Sequence, residues 1–186
     1  MVKSVRMRAF AVTLALAFTL TTGSALAGSG GIDPTSAPPA PVPGVKAKLL
    51  PSGLAAPPAG APVEVQRAIA AANAIDDAGY CRGGGHGKWN SRCYDCSGAI
   101  SYALGPKGAG ILDSPLPSYD FNKWGAPGRG GWITVYYNRG HAFVVIAGLR
   151  FDTSVPDDGE RGPGWSKSVK AGMVNGPFKK RYYAGL

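Results

Sequence analysis

Chemically reactive side chains are scarce in this 186-residue sequence: it has two histidines, three cysteines and only 17% charged residues. Long apolar runs are scarcer still. Outside the first 27 residues none approaches the roughly 18 needed to cross a bilayer, which excludes a helical membrane span there. Gly and Pro interrupt nearly every stretch, which excludes a long coiled coil. The glycine run 83–87 has no following Lys-Ser/Thr, so no phosphate-cradling loop is present, and no nucleic-acid motif appears. Asp157-Asp158-Gly159-Glu160 lacks the alternating ligands of a calcium loop and reads as a turn.

What the chain does have is organised in three parts. Lys3, Arg6 and Arg8 precede the apolar run Ala9 to Leu20, and Ala25-Leu26-Ala27 follows, the pattern of a secretory signal peptide over 1–27. No Cys follows that cleavage site, which argues against a lipid anchor. The net charge of +9 includes those three leader cations. A moderately basic exported protein is drawn to anionic surfaces, among them wall polymers. Residues 28–62 hold nine of the 16 prolines and six glycines with few large apolar side chains, the composition of an extended, disordered linker. The remaining 63–186 has the length of one domain.

Within that domain Val65, Ala68, Ile69, Ala72 and Ile75 recur at helical spacing between Pro62 and Gly79, predicting a helix over 63–78. A second, shorter helix fits Cys96 to Leu104, stopped by Gly105-Pro106. Residues 105–131 read as a long loop. Trp132 to Tyr137, His141 to Ala147, Leu149 to Thr153 and Phe178 to Tyr183 are rich in β-branched and aromatic residues and read as strands. Helices first and strands after imply an α+β domain, with N-terminal helices packed on an antiparallel sheet.

The three cysteines, Cys81, Cys93 and Cys96, lie close together, and three readings compete. Cys93-Tyr94-Asp95-Cys96 is a C-x-x-C motif, but glycines precede it where a redox site expects a buried strand. Cys81, His86, Cys93 and Cys96 make a possible Cys₃His zinc set, although the two-Cys arm that opens a finger is missing. In the third reading Cys81 and Cys93 form a disulfide and Cys96 is left as a nucleophile. Asp95 is a helix-capping residue and an apolar helix follows it. A thiol in the first helical turn meets free N–H groups and the positive end of the macrodipole, which favour thiolate. The base to match it is His141, at the start of a strand. Asp152 lies on the next predicted strand, where a hairpin brings it opposite His141. Each residue taken singly also has a structural reading, as a small core hydrophobe, a rim histidine and a turn former.

Asp95-Cys96-Ser97-Gly98, preceded by Tyr80-x-x-Gly83-Gly84 and followed by Gly140-His141, resembles the NlpC-type cysteine endopeptidases of bacterial cell walls over most of 63–186. The resemblance implies a papain-like α+β fold and a secreted, wall-associated hydrolase without a cofactor. Its substrates would be peptidoglycan stem peptides, cut between D-glutamate and the diamino acid. It implies Cys96 as nucleophile, His141 as base, Asp152 as the third polar residue, and Tyr80, Asp95 and Ser97 along the substrate site. Two departures stand out. The third residue in that family is usually His, Asn or Gln. Ala78-Gly79-Tyr80 replaces the usual hydrophobic-Pro-Tyr entry, and the Cys81/Cys93 pair is an addition. The CHAP amidases also use Cys and His, but their Cys typically follows Gln. A non-catalytic wall-binding module retaining the fold, and the zinc-stabilised domain, are the alternatives. Lys179-Lys180-Arg181 reads as a solvated strand end before an anionic-polymer site, and Trp89, Trp124, Trp132 and Trp165 as packing residues before sugar platforms. The expected protein is a monomer.

Overall fold

The computed structural model describes residues 37–154, 161–170 and 177–186. The expected leader over 1–27 and the acidic turn at 157–160 lie outside the described residues. Among those described, no helix is long and apolar enough to cross a membrane.

The chain starts with two short strands, β1 (Lys48–Leu49) and β2 (Ala55–Ala56), paired antiparallel. Over 37–62 this differs from the extended linker expected over 28–62, whose residues 28–36 lie outside the described residues. Val42 bridges Pro58, the Ala47 N–H donates to the Ala147 carbonyl at 2.9 Å, and Ala47, Ala55 and Ala61 join the main core. Alanine has little apolar area to signal burial, but its small side chain lets one backbone lie directly on another. The domain therefore begins well before residue 63.

Helix α1 (Val63–Asn73) buries Val65, Ala68, Ile69 and Ala72 along one face. It stops short of the expected residue 78 because hydrogen bonding tightens beyond Asn73: Ile75 N–H donates to Ala72 and Ala78 N–H to Ile75, an i to i−3 pattern. The buried Asn73 side chain accepts from Ala55 N–H (3.0 Å) and Trp165 Nε1 (2.9 Å), and donates to the Ala55 carbonyl (2.9 Å). One amide thus joins α1 to β2 and to the far edge of the sheet.

Two further short strands, β3 (Gly79–Tyr80) and β4 (Cys93–Tyr94), run parallel, and a Cys81–Cys93 disulfide closes the glycine loop between them. Helix α2 (Cys96–Leu104) follows with the expected bounds and packs against α1. The 105–131 stretch holds more structure than its Gly and Pro content predicts. A 3₁₀ helix spans Ser118–Lys123 and β5 covers Ala126–Pro127.

The expected strands appear as β6 (Ile133–Tyr137), β7 (Ala142–Ile146), β8 (Leu149–Asp152) and, last in the chain, β10 (Lys179–Tyr182), with β9 (Gly164–Ser166) between the last two. They form a six-stranded antiparallel sheet in the order β5-β10-β6-β7-β8-β9. Val135, Val144, Ile146 and Phe151 face the helices and pack with Ile69, Ile100 and Leu104. Alternate residues face the other way, where the cross-strand pair Tyr136 and Phe143 stacks at 4.6 Å. The class is α+β, with helices on an antiparallel sheet. Trp124 and Trp165 belong to the core, while Lys179 and Lys180 are exposed on β10.

Candidate active site

Two tight turns place the site. Between β6 and β7, Asn138 Oδ1 accepts the N–H groups of Gly140 (2.9 Å) and His141 (2.8 Å), so the Asn138-Arg139-Gly140 turn fixes the residue that enters β7. Between β7 and β8, Ala147 (φ 47°) and Gly148 (φ 88°) are both left-handed, as a type I′ hairpin requires. Ala147 carries that conformation with both backbone groups tied, its N–H to Trp132 (2.7 Å) and its carbonyl to Ala47. The hairpin pairs Val144 with Phe151. Carried onward, that register sets Ser154 opposite His141 and Asp152 one same-face step away.

His141 Nε2 lies 2.9 Å from Asp152 Oδ1, and both side chains are almost wholly buried. Asp152 is saturated with donors. Thr153 N–H (2.6 Å) and Ser154 N–H (3.2 Å) reach Oδ1, while Arg150 Nε (2.8 Å) and Nη2 reach Oδ2. Arg150 itself lies over the Phe143 ring at 3.9 Å and donates to the Lys170 carbonyl at 2.8 Å. Burial alone would raise the Asp152 carboxyl. The hydrogen bond and charge of His141, with the Arg150 guanidinium, override burial and hold it below the usual carboxylate range. An ionised Asp152 fixes a proton of His141 on Nε2.

Cys96 stands in the first turn of α2. Asp95 caps that helix, its Oδ1 accepting Gly98 N–H at 2.7 Å. The sulfur is half-buried, 3.4 Å from Ser118 Oγ, and close enough to His141 and the Ala142 N–H for both to favour its charged form. Burial would raise the thiol, but His141, Ser118 and Ala142 together lower it. The converse holds for the ring. Burial would lower His141, but Asp152 and Cys96 raise it to about 9. A lowered thiol beside a raised imidazole favours the thiolate–imidazolium form of the pair. The structure thus brings together Cys96, His141 and Asp152 from one helix and two strands.

A cleft of about 400 Å³ opens over Cys96. Tyr80, half exposed, borders it. Burial raises the Tyr80 phenol, and the nearby Cys96 and Asp95 raise it further. Asp95 and Ser97 border the same cleft, and both already have hydrogen-bond partners within the protein. Ser97 Oγ donates to Asp95 Oδ1 (3.1 Å), His86 Nε2 reaches the same oxygen (2.9 Å), and Gly83 N–H takes Oδ2 (3.0 Å). Gly98 is required here, because a Cβ would run into the Gly84 carbonyl where the glycine loop crosses the helix.

Several site residues carried no sequence signal of their role. Ser118 sits in the Gly/Pro-rich loop, and nothing local marks it as a thiol partner. Arg150 could have been found, since it stands two residues from Asp152 on the same strand and therefore on the same face. His86 is seen in sequence only as a zinc ligand. That reading falls because Cys81 and Cys93 are bonded to each other, and the same bond removes Cys93–Cys96 as a redox couple. No cluster of three metal-ligating side chains occurs among the described residues. Neither a protein-family model nor a curated protein matches the chain.

Proposed function

We propose that the protein is a secreted, wall-associated cysteine endopeptidase of the NlpC type, with a papain-like domain, that hydrolyses amide bonds in peptidoglycan stem peptides. The bond assigned to it is the one between D-glutamate and the diamino acid. One observation carries this reading: a single buried imidazole joins a lowered thiol at a helix N-terminus to a saturated, ionised carboxylate. The shifts run in the direction that acyl transfer needs at the start of the cycle, toward thiolate and imidazolium.

The Cys96 thiolate attacks the amide carbonyl and forms a tetrahedral adduct. N–H groups at the start of α2 are the donors assigned to that oxyanion. His141, held by Asp152, protonates the leaving amine as the C–N bond breaks. The neutral imidazole then takes a proton from water, which attacks the thioester and releases the acid and the thiolate. The test is mass spectrometry of muropeptides incubated with the mature protein. The expected result is a new amine and a new carboxylate, both lost with Cys96→Ala or after iodoacetamide, while the thermal melt stays close to wild type. Cleavage that survives Cys96→Ala refutes the mechanism.

A further inference from the structure

The walls of the cleft over Cys96 are unequally charged. Arg82, His86 and Arg139 line it, and the one carboxylate among them is Asp95. That carboxylate already has partners within the protein: Oδ1 accepts from Gly98, Ser97 and His86, and Oδ2 from Gly83. Four donors thus offset part of the Asp95 charge, three of them on Oδ1 and one on Oδ2. The cations are in the opposite condition. Arg82 and Arg139 are exposed and have no carboxylate partner among the described residues; Arg139 rests 4.9 Å over the Tyr119 ring. His86 uses Nε2 toward Asp95 and Ser97, and its ring is partly exposed. Its hydrogen bond to Asp95 favours the charged form, against the opposing effect of burial.

We propose that this cleft selects a substrate carrying a free carboxylate beside the scissile amide, received by Arg82, His86 and Arg139. A guanidinium presents a planar fork that matches a carboxylate with two parallel bonds and matches a carboxamide poorly. His86 therefore serves selectivity, while His141 serves the chemistry. The inference rests on the peptidase reading for its substrate, but the charge of the cleft can be measured without any hydrolysis.

The experiment has two arms. In the first, Cys96 of the full mature chain is alkylated with anionic iodoacetate and neutral iodoacetamide, and the ratio of the two rates is recorded. Arg82→Ala/Arg139→Ala is expected to lower that ratio about fivefold or more, the size of two unit charges acting across a few ångströms of partly screened solvent. His86→Gln, which keeps a hydrogen bond to Asp95, should lower it by less. Added salt should lower it in the unaltered protein, which keeps the test valid if the double variant folds poorly. A ratio unmoved by both the substitutions and salt overturns the proposal. In the second arm, stem peptides with the glutamyl carboxylate free or amidated are compared, and the free form should be cleaved at least tenfold faster. Equal cleavage of both forms overturns the carboxylate selectivity and leaves the peptidase intact. No cleavage of either, with the alkylation ratio still responsive to charge, overturns the peptidase assignment and supports the anion-receiving cleft.

Discussion

The molecule contains two histidine–aspartate pairs, each with a nitrogen 2.9 Å from a carboxylate oxygen. Distance makes them identical; surroundings make them opposites. In His141–Asp152 the side chains are 8% and 0% exposed, a guanidinium backs the carboxylate, and the ring is handed to a thiol. In His86–Asp95 the exposures are 24% and 14%, the carboxylate caps a helix, and the ring edge meets the cleft. The first pair is rigid and insulated from water, which suits proton transfer. The second is partly screened by solvent and tied to a loop, which suits recognition. The comparison teaches that an imidazole–carboxylate contact says little about role until burial and the carboxylate's other partners are known.

The sharpest way to break this division is to remove the two rings in turn. His141→Ala should reduce muropeptide hydrolysis by about 100-fold or more, the usual contribution of a positioned proton-transfer group. His86→Gln should act mainly on KM for carboxylate-bearing peptides. Equal losses of kcat in both variants would erase the distinction. The carboxylates give the next contrast, in stability. Asp152→Ala leaves the Arg150 guanidinium buried without its partner and should cost about 3–5 kcal/mol in urea unfolding. Asp95→Ala removes a helix cap and should cost about 1 kcal/mol. Similar values from the two unfolding curves would mean that the inner pair is less insulated than its burial indicates.

The smallest effect is a pH dependence that separates the pairs by slope. His141 is raised from 6.5 to about 9, so the stability it contributes is complete below about 6.5 and is lost as pH rises through 9. The thiol runs the other way, being lowered, so thiolate should persist to lower pH than in an ordinary cysteine. Alkylation of Cys96 should therefore begin at more acid pH than for a free thiol, and hydrolysis should fall above about 9 as the imidazolium is lost. In His141→Ala the alkylation profile should move back toward that of a free thiol. A profile that does not move would show that Ser118 and the Ala142 N–H, not His141, ionise the sulfur.

Much of this arrangement can be read from sequence where the signal is local. Asp95 before an apolar run announces both the start of α2 and the place of Cys96 in its first turn. Asn138-Arg139-Gly140 and Ala147-Gly148 announce the hairpins, and these bring His141 and Asp152 onto one face. The features that escape are those made by contacts distant in sequence. The packing of residues 42–61 depends on alanines, whose burial leaves almost no hydrophobic pattern. The end of α1 is set near Asn73, whose partners Ala55 and Trp165 lie 18 and 92 residues away. His86 reaches Asp95 only because a disulfide folds the glycine loop back over the helix.

The two-residue bend at Ala147-Gly148 carries a consequence for the evolution and engineering of this protein. Side chains alternate along a strand, so adding or deleting a single residue there would rotate every later position of β8 by half a turn. Phe151 would swing onto the face that holds Phe143 and Arg150, and Asp152 would point its carboxylate into hydrocarbon beneath α2. Changes in length are thus forbidden at the bend in odd steps, whereas the surrounding residues can vary one for one. The parity of one hairpin, more than the identity of any neighbouring side chain, keeps an acid behind the imidazole.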